Sequence, residues 1–220
     1  MNRTAYLSAW SMLHGGLPAR GVIAVWLGVQ YACARPLAGW GVSPSALTLS
    51  GLLPAGGILL IGILAGAPTA AADWGWVICL LVLASALLDG LDGAVAILRD
   101  RVTTAGARLD ARVDRAVEAG WAIGLILLGA PAALLLPALL LTYAVEALRP
   151  AGGEGGPPVL TVWERPTRVL VSAMFPLAAT VLGQEGWLVA GGAGWAVLSL
   201  IGTVQVLHAR RRRGRRAPRG

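Results

Sequence analysis

The chain has 220 residues, of which 56% are hydrophobic and only 13% are charged, and its formal net charge is +7. This composition excludes an ordinary soluble domain, because several apolar stretches reach about the 20 residues that a helix needs to cross a bilayer. The two cysteines, Cys33 and Cys79, lie in apolar surroundings without a CxxC motif, and we interpret them as buried thiols. We therefore predict an all-α integral membrane protein.

The N-terminal segment, residues 1–42, precedes the predicted membrane domain. Within it, residues 18–39 are mostly apolar, but Arg20 and Arg35 bracket only residues 21–34, which is short for a membrane span. We interpret this stretch as an amphipathic helix at the membrane interface, with its arginines reaching lipid phosphates. The alternative is a further membrane span over the same residues.

A domain with six membrane spans is predicted over residues 43–208. It begins in the sequence GVSPSALTLS (41–50), where Ser43 or Ser45 can cap a helix and Pro44 suits its first turn. The spans are predicted at residues 46–64, 74–98, 107–128, 132–148, 166–182 and 187–208. The tail, residues 209–220, contains seven arginines. Because it follows a span, we expect it to meet anionic lipid rather than nucleic acid.

The distribution of charge predicts the orientation. In a six-span arrangement the N-terminal segment, the 99–108 linker, the 149–168 loop and the tail share one side. Every arginine lies on that side or at the span ends that face it. The only charged residues in the opposite loops are Asp73 and Glu185. Arginine accumulates on the cytoplasmic side of membranes. We therefore predict a multi-pass plasma-membrane protein whose termini both lie in the cytoplasm.

Four aspartates flank the linker between the second and third predicted spans. Asp89 and Asp92 are three residues apart and Asp110 and Asp114 are four apart, so each pair lies on one face of a helix. Four converging carboxylates repel one another unless a cation lies among them. Oxygen ligands alone favour Mg²⁺ or Mn²⁺ over zinc. We predict a divalent metal site here rather than four solvated helix-end charges, and we expect it on the cytoplasmic side.

This stretch resembles the signature of the CDP-alcohol phosphotransferases, D-x-x-D-G-x-x-A-R-x8-G-x3-D-x3-D. The positions that match are Asp89, Asp92, Gly93, Ala96, Gly106, Asp110 and Asp114. The family arginine that helps to hold the nucleotide diphosphate is replaced by Ile97, and our hypothesis is that Arg99 or Arg101 substitutes for it. The resemblance extends over residues 41–207, since Pro44 and Thr48 also fit the family's Pro-Asn-x-x-Thr segment, with Ser45 in place of the asparagine.

The resemblance implies transfer of a phosphatidyl group from a CDP-linked lipid, such as CDP-diacylglycerol, to an alcohol, with release of CMP, in phospholipid biosynthesis. It implies that two Mg²⁺ or Mn²⁺ ions are held by the four aspartates and that Asp114 is also the catalytic base. The residues expected to contact the CDP donor are Gly93, Ala96, Thr103, Gly106, Ser45 and Thr48.

The acceptor is less defined by the sequence. Four arginines are candidates to bind a phosphorylated polyol, or they only anchor the chain at the membrane: Arg115, Arg149, Arg165 and Arg168. The segment Glu164–Arg168 (ERPTR) is similar to the ERPxR segment of actinobacterial phosphatidylinositol phosphate synthases, but their Lys-x-Arg pair after the fourth span is absent here. Inositol phosphate and glycerol phosphate are the acceptors that this pattern suggests.

Two further interpretations stay open at this stage. A membrane carrier could bind divalent cations through the same carboxylates, and a degenerate family member could bind nucleotide without turnover. A carrier needs acidic residues along the path across the bilayer, whereas the aspartates here cluster at one face, which favours the enzyme. Family members commonly form homodimers, and no nucleic-acid partner is predicted.

Overall fold

The computed structural model describes residues 1–65, 70–149, 159–184 and 186–216, with side chains omitted at 70–72 and 214–216. These residues form helices and no strands, which confirms the all-α prediction. Residues 150–158 of the predicted 149–168 loop, Glu185 and residues 217–220 of the tail lie outside the described residues. The helices are α1 (Arg3–Leu13), α2 (Gly21–Gly39), α3 (Pro44–Ser50), α4 (Leu52–Ala65), α5 (Ala70–Leu98), α6 (Thr104–Leu127), α7 (Ala132–Leu148), α8 (Arg165–Leu182) and α9 (Gly186–Arg216).

Four helical segments of the described chain are long and apolar enough to cross a membrane. They are Gly21–Gly39, Pro44–Ala65, Asp73–Leu98 and Gly186–Arg213, and Ala132–Leu148 is apolar but shorter. Helices α6 and α8 coincide with predicted spans, but α6 carries charged residues as far as Glu118, and α8 carries Arg165 and Arg168 in its first turn. The membrane character is therefore supported. The count of six spans and the interfacial position of residues 18–39 remain predictions, because α2 itself satisfies the length and composition of a span.

The predicted span limits agree with the helices to within a few residues at most ends. The largest difference is at the C-terminus, where α9 continues to Arg216 although the span was predicted to end at residue 208. Arginine is a good helix former, so the start of the basic tail extends the last helix.

The structure divides into two compact units, and helices α4, α5 and α6 each contribute residues to both. Unit 1 comprises Met1–Ala55 and Ala84–Val117. Its core consists of Tyr6, Leu27, Ala34, Leu47, Leu91, Ala94, Val95 and Ile97. Helix α1 is capped by Asn2, whose side-chain oxygen accepts a 2.9 Å bond from the Ala5 amide, and the Tyr31 hydroxyl donates to the Met1 carbonyl at 3.0 Å.

Within unit 1, a short turn joins α5 to α6. Asp100 adopts a left-handed conformation with φ of 51°. Its amide donates to the Ile97 carbonyl at 3.2 Å, and the Arg101 amide donates to the Ala96 carbonyl at 2.8 Å. This is the Schellman pattern of helix termination, usually completed by glycine. Thr103 then caps α6, since its hydroxyl oxygen accepts a 3.0 Å bond from the Gly106 amide.

Unit 2 comprises Gly56–Leu83 and Glu118–Gly220. Trp121, Trp163 and Trp195 are fully buried in it. Trp163 packs edge-on against Trp195 with ring centroids 5.1 Å apart, and its indole nitrogen donates to the Thr142 hydroxyl at 2.7 Å. The Trp195 nitrogen donates to the Ser172 hydroxyl at 3.2 Å. The indole nitrogens of Trp163 and Trp195 thus find their partners inside the protein, and both residues belong to the core of unit 2.

A close approach in unit 2 gives the first testable prediction. The Gly75 amide donates to the Thr180 hydroxyl at 2.9 Å, and a methyl group at Gly75 would collide with the Pro176 carbonyl oxygen. The variant Gly75→Ala should therefore force α5 and α8 apart and destabilise the protein by about 1–3 kcal/mol. Thermal unfolding in detergent measures this. Gly56→Ala, whose methyl group meets open space, is the matched control and should unfold no earlier than the unmodified protein.

Candidate metal centre and active site

Three of the four predicted aspartates converge in unit 1. Asp89 comes from the last third of α5, and Asp110 and Asp114 lie one turn apart near the start of α6. Each offers a carboxylate oxygen, and the three oxygen atoms lie within 4.8 Å of one another. All three residues are partly buried. We call this group the aspartate triad.

The triad suits a hard divalent cation. Three carboxylates at this separation bring together three negative charges, whose mutual repulsion a bound cation would relieve. Oxygen ligands at a partly solvated site match Mg²⁺ or Mn²⁺, which keep several water ligands. The chemistry of these donors therefore fits the metal that the sequence predicts, without fixing the number of ions.

The fourth aspartate, Asp92, is placed differently. It is 6% exposed and accepts a hydrogen bond from the hydroxyl of Thr48, which is equally buried on α3. It also accepts from the Gly93 amide. Asp92 is thus tied to the α3 segment, and it is not among the three aspartates whose carboxylate oxygens converge. Its predicted role as a metal ligand remains a prediction.

The residues predicted to contact the CDP donor differ in their burial and in their contacts. Thr48 bonds to Asp92, as described, while Ser45 is exposed one turn earlier on α3. Gly93 is exposed and a side chain there would meet open space, so a ligand has room to approach. Ala96 is half-buried. Ser43, one of the two serines predicted to cap this helix, is the N-cap residue of α3, although its side chain makes no capping bond. Pro44 lies in the first turn, as predicted.

Thr103 and Gly106 have a structural role that the sequence analysis did not assign. Their hydrogen bond closes the first turn of α6, and a side chain on Gly106 would stand 3.1 Å from the Thr103 hydroxyl. Because this helix carries Asp110 and Asp114, the cap fixes the start of the element that supplies two of the three triad carboxylates. Donor contact by these two residues remains a prediction.

Ile97, where the family signature has arginine, is 8% exposed and belongs to the apolar core of unit 1. Of the two proposed substitutes, Arg99 donates to the Val42 carbonyl at 2.8 Å and so ties the end of α5 to the residue before the α3 cap. Arg101 is exposed in the turn that follows α5. Either guanidinium retains N–H groups that could meet a phosphate.

The candidate acceptor arginines occupy both units. Arg115, in unit 1, donates to the Ala111 carbonyl one turn earlier on α6. The other three lie in unit 2, where Arg165 is half-buried at the start of α8. Arg149 and Arg168 take part in a chain of ion pairs with three glutamates, which we call the ion-pair chain.

In the ion-pair chain each of the two guanidinium groups is placed between two carboxylates. Arg168 Nε lies 3.0 Å from a Glu118 oxygen, off the line of an N–H bond, and Arg168 Nη1 lies 3.1 Å from Glu146. Arg149 lies 3.2 Å from the same Glu146 oxygen and 2.8 Å from Glu164. Burial acts to lower the pKa of Arg149, but its bond to Glu164 and the charge of Glu146 raise that pKa overall.

Two buried polar residues, Glu118 and Gln30, were not among the site residues predicted from the sequence. Glu118 lies within an apolar run and was not singled out, although it is 3% exposed and ion-paired. An acidic residue in a predicted span was the available signal, since such residues are rarely left unpaired. Gln30, in the N-terminal segment, is 6% exposed in unit 1. Its polar side chain on an apolar helix was the corresponding signal there.

The inner pair of the ion-pair chain generates a prediction about stability. Glu118 and Arg168 are almost completely buried, so Glu118→Gln removes the buried partner of the Arg168 guanidinium and leaves it the more exposed Glu146. We expect a loss of about 3–5 kcal/mol in the free energy of unfolding, measured by denaturation in detergent. The double variant Glu118→Leu with Arg168→Met removes both charges and should recover most of the loss. A double variant as unstable as Glu118→Gln would contradict this.

The triad generates a prediction about metal binding. Asp110→Asn removes one anionic ligand, so Mn²⁺ affinity, measured by titration of the free Mn²⁺ paramagnetic resonance signal, should fall by at least about tenfold to a hundredfold. Asp100→Asn is the matched control, since it makes the same change at an exposed residue outside the triad, and asparagine tolerates the left-handed conformation. Equal losses in both variants would refute a specific role for the triad.

Comparison with known proteins agrees with this geometry. The family model of the CDP-alcohol phosphatidyltransferases matches residues 42–204. The solved structure of Mycobacterium tuberculosis phosphatidylinositol phosphate synthase (PgsA1), in complex with manganese and citrate, is similar with 26% identity and a TM-score of 0.63, over 82% of this chain and 88% of that one. A comparison with curated proteins gives no match. This chain is a membrane transferase of phospholipid synthesis and belongs to the CDP-alcohol phosphatidyltransferase family.

Proposed function

We propose that the protein transfers a phosphatidyl group from a CDP-linked lipid, such as CDP-diacylglycerol, to an alcohol and releases CMP. The observation that carries the proposal is the convergence of Asp89, Asp110 and Asp114 within 4.8 Å in a member of this family. Carboxylates in the last third of the apolar helix α5 and near the start of α6 suit a lipid whose acyl chains stay in the bilayer while its diphosphate meets a metal.

The reaction depends on Mg²⁺ or Mn²⁺ in this proposal. The similar solved structure contains manganese, and the triad supplies the oxygen ligands that either ion prefers. Bound ions would neutralise charge on the diphosphate and on the departing CMP. We propose that Asp92 joins the triad residues as a ligand in the loaded enzyme and that two ions bind.

The chain's own residues act on the acceptor and on the donor. The acceptor hydroxyl oxygen forms a bond to the phosphorus that carries the lipid, while the bond from that phosphorus to the oxygen of CMP breaks. Asp114 takes the hydroxyl proton as general base. The α3 segment, held to Asp92 by Thr48, and the open surface beside Gly93 receive the nucleotide.

The acceptor is proposed to be a polyol phosphate, inositol phosphate or glycerol phosphate. The similarity to a phosphatidylinositol phosphate synthase and the ERPTR segment support this choice. The ion-pair chain sets a condition on it. A phosphate bound by Arg149 or Arg168 would compete with the glutamates that already pair with these arginines, so unphosphorylated alcohols belong in the same test.

The proposed setting is the plasma membrane, with the active site and both termini on the cytoplasmic side and with a second copy as a partner in a homodimer. The apolar helices of the described chain support the membrane location. The arginine-rich side of the predicted topology supports the orientation.

The decisive test is CMP formation from CDP-diacylglycerol by the purified protein with Mg²⁺. Inositol phosphate, glycerol phosphate, inositol and serine are offered in turn. We expect CMP with one of them, and a loss of at least about a hundredfold in Asp114→Asn because a general base typically contributes that much or more. Asp100→Asn should retain the rate.

Each outcome separates the proposal from its alternatives. CMP release that survives Asp114→Asn would place the general base elsewhere. Tight Mn²⁺ binding without CMP from any acceptor would favour a degenerate member that binds nucleotide without turnover. Transport of Mn²⁺ into vesicles by a protein that releases no CMP would favour the carrier.

A further inference from the structure

The first 41 residues precede the region that matches the family, which begins at residue 42. They nevertheless supply part of the core of unit 1. Tyr6, Leu27 and Ala34 are buried in one cluster with residues of the C-terminal part of α5, namely Leu91, Ala94, Val95 and Ile97. The helix that carries Asp89 and Asp92 is therefore packed against a segment outside the matched domain.

One polar residue lies on the buried side of α2. Gln30 is three residues after Leu27 and four before Ala34, so the three share one helical face, and Gln30 is 6% exposed. Its side chain passes directly over Gly90 of α5. A methyl group on Gly90 would overlap the Gln30 amide nitrogen and would stand 2.5 Å from its Cδ. The absence of a side chain at Gly90 thus leaves room for the buried Gln30 amide of α2 against α5.

The contact between Gln30 and Gly90 lies in the turn of α5 that carries Asp89 and Asp92. Gly90 directly follows Asp89 and comes two residues before Asp92. The distance at which α2 rests on Gly90 therefore helps to set where the Asp89 carboxylate stands relative to Asp110 and Asp114 on α6. Displacements of about 1 Å at a reacting centre are enough to reduce rates by roughly a hundredfold.

We infer that α2 is a positioning element of the metal centre and that Gln30 is its positioning residue, acting on Asp89 through Gly90. The same packing accounts for Ile97. This residue belongs to the cluster that α2 covers, where an arginine would bury a charge among apolar side chains. The inference rests on the proposed function only in requiring that the triad hold a divalent ion.

The test is a double-mutant cycle read by Mn²⁺ affinity, with no donor or acceptor present. The variants are Gly90→Ala, Gln30→Ala and the combination of both. Gly90→Ala introduces the overlap, so we expect Mn²⁺ affinity to fall at least tenfold. Gln30→Ala alone leaves the space over Gly90 empty and should lower Mn²⁺ affinity, whereas in the combined variant the Gly90→Ala methyl group fills the space that the Gln30 amide leaves. The combined variant should therefore bind Mn²⁺ within about threefold of the unmodified protein, although it carries two substitutions.

Controls separate positioning from folding. Melting temperatures are measured for all variants, and Mn²⁺ titrations are made well below the lowest of them, so that folded proteins are compared. Gly56→Ala, at an open helical position, should leave Mn²⁺ affinity unchanged. Recovery of affinity in the combined variant, despite the extra substitution, is a result that a general loss of packing would not produce.

The opposite results would overturn the inference. Unchanged Mn²⁺ affinity in folded Gly90→Ala would show that the contact between Gln30 and Gly90 does not position the triad. A combined variant as weak as Gly90→Ala would show that Gln30 is not the group responsible. Absence of Mn²⁺ binding by the unmodified protein would also contradict it. Failure of CMP release alone would leave the cycle intact and would count only against the proposed function.

Discussion

The repulsion among three carboxylates is the constraint on which unit 1 depends. Asp89, Asp110 and Asp114 come from two helices and meet within 4.8 Å, an arrangement that the acidic residues themselves oppose. Other contacts must hold it. Thr103 fixes the start of α6, Arg99 ties the end of α5 to Val42, and Thr48 links α3 to Asp92. These hydrogen bonds, together with the apolar core of unit 1, hold the helices that carry the aspartate triad.

In unit 2 the buried charges are of both signs and form ion pairs. Glu118 and Arg168 are buried where isolated charges would be very unfavourable, and they are paired with each other. The chain continues through Glu146 and Arg149 to Glu164, each guanidinium facing two carboxylates. Within the ion-pair chain, the charge of each arginine is therefore compensated by glutamates. In unit 1 the triad gathers negative charge, which suits a site that must attract a cation.

Much of the architecture could be predicted from the sequence, because it follows from local rules. Apolar length predicted the helices, and the four-residue spacing of Asp110 and Asp114 predicted that they share a face. The three-residue spacing of Asp89 and Asp92 did not bring Asp92 into the aspartate triad. What could not be predicted depends on which side of a helix meets which neighbour. Ile97, at a charged motif position, belongs to the apolar core of unit 1, and Gln30 is significant only because Gly90 lies beneath it. The contact between Trp163 and Trp195 likewise depends on which helix faces meet.

The turn after α5 explains why the spacing of the aspartate signature is fixed. The left-handed Asp100 ends one helix, and three residues later Thr103 already caps the next. Most residues of this connection take part in the turn bonds or in the cap, namely Arg99, Asp100, Arg101 and Thr103. Most surface loops tolerate insertions, but an added residue here would rotate one pair of aspartates away from the other. The length of the linker thus sets the placement of the two pairs of aspartates relative to each other, and the site depends on it as it depends on the carboxylates.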